Sequence, residues 1–219
     1  GSGFHIAMKD LEIRGAGDLL GAEQSGFIND IGFETYQKIL NEAIEELKEN
    51  EFADLYQSSN DKKEYVSDIS IDTDFELLFP DNYVNNISER LNLYTQLNNL
   101  KSEEELQKFE SKIIDRFGEL PIQVVDLLNS VRIKWIASKT GLEKVVMKHG
   151  KLIGYFINDQ QSGFYQSKGF TKVLQFVQLH PNLCKMKEKQ TRSGLRLLLT
   201  FDNIKSVKHA LAVLRPLLD

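Results

Sequence analysis

The residues best suited to recognising an anionic partner lie between positions 10 and 24 of the chain. Arg14 carries a guanidinium and Gln24 a carboxamide, and both planar groups form several directed hydrogen bonds. Three glycines lie between them: Gly15, Gly17 and Gly21. Because glycine has no Cβ, the backbone there can turn sharply and approach a partner closely. The set indicates a surface that holds an anionic or backbone-rich partner. It contains no nucleophile, metal-ligand cluster or proton relay.

The glycine spacing also resembles, superficially, the turn that binds a dinucleotide. That turn needs a preceding buried strand, a βαβ unit and an acidic residue on the next strand. Residues 4–14 carry too many charges for a buried strand, and no such unit follows. The chain also lacks a Gly-x-x-x-x-Gly-Lys-Ser/Thr loop and the acidic box that holds magnesium beside a nucleotide. We therefore expect no catalytic residue, metal site or cofactor in this chain.

Two helices are predicted to position the glycine loop. Residues 3–14 carry apolar side chains at helical spacing, although an apolar-polar alternation in the same stretch also fits a strand. A second amphipathic helix is predicted from residue 32 to residue 50, with one apolar stripe and a charged opposite face. Residues 51–68 are predicted to be a linker, because their polar centre offers little surface to bury.

A strand and three helices are predicted next. Apolar and polar residues alternate over 69–75, which indicates a half-buried strand. The three helices are predicted at 85–100, 102–117 and 121–140. Ser102 and Glu105 form a capping box at the start of the second helix. Gly118 suits the end of that helix, and Pro121 suits the first turn of the third.

The last third of the chain mixes strands with helices. Two hairpins are predicted: Leu142–Lys148 with Lys151–Ile157, and Cys184–Lys189 with Leu195–Phe201. His149-Gly150 forms the first turn, and helices are predicted at 167–179 and 204–217. Hairpins favour antiparallel pairing, so the sequence predicts an α+β domain over 69–219, with an antiparallel sheet and helices packed on it.

Composition limits the function classes. The chain has 219 residues, 41% hydrophobic and 27% charged, which is typical of a soluble globular protein. Its formal net charge of −5 argues against a chain that wraps nucleic acid by itself. Cys184 is the single cysteine, so no intrachain disulfide is possible, and we expect a reducing, cytoplasmic location. No apolar run approaches the length of a membrane span.

Charged and titratable residues elsewhere give weaker signals. Lys185, Lys187 and Lys189 share one side of a predicted strand, with Arg192 and Arg196 nearby. They could contact DNA, but lysines that discourage aggregation at a sheet edge are the favoured interpretation. Asp115-Arg116 is interpreted as a helix-end ion pair or cap. The histidines, which show no metal-ligand spacing, are His5, His149, His180 and His209.

Three blocks of the sequence resemble known proteins. Residues 10–26 and the helix after them resemble the motif that follows the last helicase motif in RecG helicases and in bacterial transcription-repair coupling factors. Leu78-Phe79-Pro80-Asp81-Asn82-Tyr83-Val84 and Ile114-Asp115-Arg116-Phe117-Gly118-Glu119-Leu120-Pro121 resemble the C-terminal domain of the coupling factors specifically. The resemblance covers nearly the whole chain, closely up to Ala137 and loosely after it.

The resemblance implies roles for particular segments. Residues 1–50 would be a translocation motif that couples ATP hydrolysis to movement along double-stranded DNA, with ATP and magnesium bound in a motor upstream of it. Arg14 and Gln24 would transmit the movement, supported by Asp10, Glu12 and the loop glycines Gly15, Gly17 and Gly21. The 69–219 domain would be regulatory. It would pack on an N-terminal module of the parent protein that recruits UvrA, while the parent acts on stalled RNA polymerase.

We therefore expect the C-terminal piece of an ATP-dependent DNA translocase that couples stalled transcription to nucleotide excision repair. One alternative is a RecG-like helicase of branched DNA, which would account for residues 4–50 but not for the 69–219 domain. The other is a plain protein-interaction domain with no motor attached. The sequence that precedes this segment would discriminate among the three.

Overall fold

The computed structural model describes residues 65–66, 68–192 and 194–219. Residues 1–64 include the predicted helix-loop-helix motif and most of the predicted linker, and they lie outside the described residues. The division into three segments therefore stays a prediction. Tyr65, Val66 and Asp68 are the described residues of that linker, and the first two contact the domain. They belong to the domain, because the Tyr65 amide donates to the Ser138 carbonyl at 2.9 Å and Val66 is buried.

The described part contains five strands in one sheet, and its helices confirm the predicted α+β class. The strands are β1 (Ser70–Thr73), β2 (Leu142–Lys148), β3 (Lys151–Phe156), β4 (Cys184–Thr191) and β5 (Gly194–Phe201). Their order across the sheet is β1-β2-β3-β5-β4, so β1 and β4 form the two edges. Both predicted hairpins are confirmed, β2 with β3 and β4 with β5. His149 and Gly150, at φ of 55° and 72°, form the first turn, as the sequence predicted.

The pairing of β1 differs from the predicted antiparallel sheet. β1 runs parallel to β2, with Ile71 opposite Val145, whereas the other three pairings are antiparallel. Parallel neighbours require a long crossover between the strands. Here the crossover carries three helices, so the chain can return to the sheet in its original direction.

The helices are close to their predicted positions: α1 (Ile87–Asn99), α2 (Glu103–Phe117), α3 (Ile122–Thr140), α4 (Lys168–Leu179) and α5 (Val207–Leu214). Ser102 caps α2 by accepting from the Glu105 amide at 3.2 Å, while Glu105 accepts from the Lys101 amide at 2.8 Å. The predicted closing helix is shorter than expected. α5 ends at Leu214, and a 3₁₀ turn containing Pro216 follows, because proline has no N–H to continue the α-helical ladder.

One contiguous core joins the sheet to the helices. α3 ends at Gly141, whose φ of 73° is left-handed. A Cβ at this position would lie 2.3 Å from the Phe164 ring, so glycine serves both the backbone conformation and the packing. The largest apolar side chains with almost no exposure come from both layers: Phe79, Leu106, Ile133, Phe156, Phe164 and Phe201.

We expect a chain of residues 65–219 to fold without the first 64 residues. Its core is continuous, and the described segment supplies both the sheet and the helices that cover it. Urea unfolding followed by circular dichroism and by Trp135 fluorescence should give one cooperative transition at the same midpoint with both probes. A broad transition, or two different midpoints, would show that residues 1–64 are needed for a stable fold.

Candidate functional site

The predicted translocation residues are Asp10, Glu12, Arg14, Gly15, Gly17, Gly21 and Gln24, and all seven lie outside the described residues. Their role therefore stays a prediction. The two later blocks of the resemblance lie inside the described part, and the structure brings them together. The site is built from their junction and from a groove beside it.

Tyr83 connects the two blocks. Its hydroxyl donates to the Gly118 carbonyl at 2.7 Å, and its ring lies 5.8 Å from that of Phe117. Burial raises the pKa of Tyr83, so the phenol keeps the proton that it donates. Sequence analysis did not predict this contact, because the two positions are 35 residues apart.

Arg116 links the second block to α1. Its guanidinium forms an ion pair with Glu89 of α1 and lies 5.0 Å from the centroid of the Phe117 ring. The sequence predicted a helix-end ion pair or cap at Asp115-Arg116. Arg116 does form an ion pair, but its partner belongs to another helix and Asp115 is exposed.

Arg90 of α1 anchors the first block through hydrogen bonds to its backbone and to the residue that follows it. Its side chain is fully buried, and its Nη1 donates to the carbonyls of Val84 at 2.7 Å and Asn85 at 3.4 Å. This role was not predicted, although the sequence contains a signal for it. Arg90 lies at i, with buried residues Leu93, Tyr94 and Leu97 at i+3, i+4 and i+7 on the same helical stripe.

Tyr94 completes the anchor of the first block. Its hydroxyl accepts from the Phe79 amide at 2.9 Å, and the two rings meet edge to face with centroids 4.9 Å apart. Backbone groups that would otherwise be unsatisfied inside the domain are therefore bonded to side chains of α1. The junction is a rigid support, since its exposed residues rest on buried hydrogen bonds.

A groove lies between α1 and α3, and Val66, Asp68 and Ile69 form part of its wall. Its volume is about 160 Å³. Leu97 of α1 and Lys101, which follows that helix, line the groove together with Val131, Lys134 and Trp135 of α3. The groove therefore combines apolar walls with two basic side chains. None of these residues was predicted as a site.

Lys134 is the unusual group in this groove. Lys134 is half-buried in the wall of the groove. Burial lowers the pKa of Lys134 to about 8, and the Asp68 carboxylate opposes this effect only partly.

The lysines of β4 lie at an edge of the sheet. Lys185, Lys187 and Lys189 are exposed on one side of the strand, while Cys184 on the other side is buried. This placement fits the favoured interpretation, in which edge lysines discourage strand pairing between molecules. Arg196 does not join them, because its Nη2 contacts Glu143 at 2.7 Å.

Other chemistry is not indicated by the described residues. Burial raises the pKa of the Cys184 thiol, which disfavours the reactive thiolate. Among residues 65–66, 68–192 and 194–219, no three His, Cys, Asp or Glu residues are arranged to hold a metal ion. No helix in the same ranges is long and apolar enough to cross a membrane.

Comparison with known proteins identifies the family. The TRCF domain model matches residues 73–167, a range that contains both blocks of the junction. The transcription-repair-coupling factor of Rickettsia conorii is 36% identical over 188 residues, which cover 85% of this chain and 15% of that protein. The chain belongs to the transcription-repair-coupling factor family. The factor of Borreliella burgdorferi is 32% identical over 204 residues, covering 93% of this chain and 16% of that protein.

A solved structure supports the fold. The crystal structure of the C-terminal domain of a transcription-repair coupling factor aligns with a TM-score of 0.53 and 20% identity. The alignment covers 69% of this chain and 92% of the solved chain. The described domain thus has the fold of that coupling-factor domain. The chain spans only about 15% of the length of the Rickettsia coupling factor that it matches.

We expect Arg90→Ala to lower the free energy of unfolding by roughly 3 kcal/mol, because it leaves a cavity and an unpaired buried carbonyl. Arg192→Ala, which removes an exposed arginine, should change the same free energy by less than about 0.5 kcal/mol. Urea unfolding of both variants measures the difference. Equal midpoints for the two variants would contradict the anchoring role of Arg90.

Proposed function

We propose that this chain is the C-terminal piece of an ATP-dependent translocase on double-stranded DNA that couples stalled transcription to nucleotide excision repair. The match of the TRCF domain to residues 73–167 carries this proposal. In the whole protein, ATP and magnesium bind in a motor outside this segment. The motor acts on RNA polymerase stalled on DNA, and repair proteins are recruited through UvrA.

The domain over 69–219 is proposed to act by binding protein. It presents side chains at the junction of the two blocks and a groove between α1 and α3. The groove volume of about 160 Å³ is below the range of about 300–1,000 Å³ that is typical of small-molecule pockets, so the groove is too small for a nucleotide. We propose that it packs on an N-terminal module of the same protein and limits access of UvrA to that module. Closure of this kind weakens the apparent binding of UvrA, because only the fraction of molecules in the open state can bind it.

Residues 1–50 are proposed to couple ATP hydrolysis to translocation. Arg14 and Gln24 would exchange partners between the motor lobe and the DNA backbone as the lobes close and open. A population shift of this kind requires different contacts in the two states, and a guanidinium can supply them. The step is mechanical, because neither side chain performs covalent chemistry.

The RecG-like alternative is less well supported. It accounts for the glycine-rich segment before residue 50, but it offers no counterpart to the TRCF domain at 73–167. The plain interaction domain remains the second candidate function, because the described residues themselves favour protein binding. A motor in the sequence before this segment would distinguish the two, since only the translocase needs one.

In the whole protein, Arg14→Ala should impair translocation more than ATP hydrolysis. We expect displacement of a triplex strand to slow at least about tenfold, corresponding to about 1.4 kcal/mol, while DNA-stimulated ATPase activity stays within about twofold. Gln24→Ala should act in the same direction. Lys187→Ala, an exposed lysine of the edge strand, serves as the control. Normal strand displacement by both motif variants would exclude the coupling role.

Removal of residues 69–219 from the whole protein should tighten binding to UvrA. A tenfold gain would correspond to about 1.4 kcal/mol of closure in the intact protein. ATPase activity should persist, because the removed residues supply no group to the motor. Calorimetric titration of UvrA into intact and truncated protein measures the change. Equal or weaker binding after truncation would replace autoinhibition with direct recruitment of a partner by the domain.

A further inference from the structure

The sheet contributes one of its two faces to the core of the domain. Its most deeply packed core residues are Ile71 of β1, Val145 and Met147 of β2, Leu152 and Phe156 of β3, and Leu199 and Phe201 of β5. Side chains alternate across a strand, so the residues between these positions lie on the opposite face. We call this the open face, because none of its described residues belongs to the core. Antiparallel strands can leave one face of a sheet to solvent, so the open face is accessible to a partner.

An apolar strip crosses the middle of the open face. The strand register places Val146 opposite Ile153, and Tyr155 opposite Leu198. Leu198 is 6% exposed although it does not belong to the core, and the other three residues are half-buried. The strip therefore joins β2, β3 and β5 into one apolar surface outside the core. A contiguous apolar surface, unlike scattered single residues, is typical of a contact site for another molecule.

Basic side chains surround the apolar strip. Lys144 lies opposite Tyr155, and its Nζ is 5.7 Å from the centroid of that ring. Arg196 lies near the same ring, with its Cζ 5.2 Å from the centroid. Lys148 of β2 and Lys185 of β4 extend the positive charge toward the ends of the strip. Because the chain as a whole has a net charge of −5, this concentration of cations is particular to the open face.

We propose that the open face binds an amphipathic helix of a protein partner that carries acidic side chains beside its apolar stripe. The inference rests on the proposed function of the domain as a protein-binding module, and it names a surface and the chemistry of the partner. The apolar stripe covers Val146, Ile153 and Tyr155, while carboxylates beside it pair with Lys144 and Lys185. Helices pack on the faces of sheets in α+β domains, so the bound helix adds a layer of the usual kind.

The charges and rings of the open face favour a protein over a nucleic acid. Carboxylates already lie among the cations, since Asp72 is 2.8 Å from Lys148 Nζ and Glu143 is 2.7 Å from Arg196 Nη2. These carboxylates would repel the successive phosphates of a nucleic acid. Single strands also stack several bases on aromatic rings, whereas Tyr155 is the single aromatic residue among the described strand residues of this face. An acidic helix presents separate carboxylates about one turn apart, which can meet individual lysines.

A designed peptide provides the probe. The peptide acetyl-Glu-Leu-Ala-Glu-Leu-Leu-Glu-Ala-Leu-Glu-Glu-Leu-amide has leucines at helical spacing and glutamates on its other positions. Titration into the ¹⁵N-labelled full chain should give saturable amide shifts that map to β2, β3 and β5. A matched peptide with glutamine at every glutamate position keeps the apolar stripe. It should bind at least about fivefold more weakly, because several partly exposed ion pairs are lost. Added salt should weaken binding of the glutamate peptide more than that of the glutamine peptide.

Variants of the full chain separate the charge from the apolar strip. Lys144→Glu should weaken binding of the glutamate peptide at least about fivefold by replacing attraction with repulsion. Lys144→Arg should retain binding. Lys208→Glu makes the same charge change on the exposed side of α5, and it should leave the affinity unchanged.

The apolar strip has its own matched pair. Ile153→Thr should weaken binding of both peptides, because it removes apolar surface from the strip. Ile122→Thr changes an isoleucine that is 64% exposed at the start of α3, and both affinities should stay the same. The amide spectrum of each variant also shows whether the chain is folded, so a loss of binding is not confused with a loss of structure.

Several outcomes would overturn the proposal. Equal affinities of the two peptides, or equal effects of Lys144→Glu and Lys208→Glu, would exclude the acidic partner. Tighter binding of a thymidine hexanucleotide than of the glutamate peptide, with the same dependence on Lys144, would assign the face to nucleic acid. Self-association of the chain that Lys144→Glu abolishes would assign it to a second copy.

The UvrA measurement keeps this proposal separate from the proposed regulation. Failure of both peptides to bind, together with tighter UvrA binding after removal of residues 69–219, would reject a binding role for the open face and leave autoinhibition standing. Peptide binding at the open face without the UvrA effect would support this proposal and reject autoinhibition.

Discussion

α3 lies between other elements of the domain and buries side chains on opposite faces. The arrangement of the rest of the domain depends on this burial. Its apolar residues contribute to one core that also includes the sheet, α1 and α2. Buried hydroxyls on this helix donate to its own carbonyls, as Thr140 does to Ile136 at 2.8 Å. Internal bonding of this kind lets polar residues enter a core without external partners. α3 can therefore lie between two layers although its sequence is not cleanly amphipathic.

Contacts at the surface of α3 then fix the neighbouring helix. Arg132 holds Glu103 of α2 through two nitrogens, with distances of 2.9 Å from Nε and 2.7 Å from Nη2. Hydrogen bonding from Arg132 lowers the pKa of Glu103, so the carboxylate stays charged in this pair. Because α2 also carries the second block of the family resemblance, its placement sets the position of Gly118 beneath Tyr83. The junction thus inherits its geometry from α3.

Much of the fold could be predicted from local rules, and the differences come from long-range packing. Ser102 and Gly118 define the ends of α2, and the His149-Gly150 turn defines a hairpin, because each effect acts within a few residues. The parallel pairing of β1 depends on where three helices bring the chain back to the sheet, which no local pattern encodes. The candidate site was harder to predict for the same reason. Lys134 resembles an ordinary surface residue until its surroundings are known, and the helical stripe that Arg90 shares with Leu93, Tyr94 and Leu97 indicates burial but not its partners.

Arg90 and Lys134 are two cations of the helical layer with different surroundings. Arg90 is fully buried and donates through Nη1 to the Val84 carbonyl, so it supplies a hydrogen-bond donor to the loop and stabilises it. Lys134 is half-buried in the groove, and desolvation lowers its pKa to about 8, so keeping the charged form there costs free energy. The charged form of Lys134 is therefore held at a cost, whereas Arg90 stabilises the loop to which it donates.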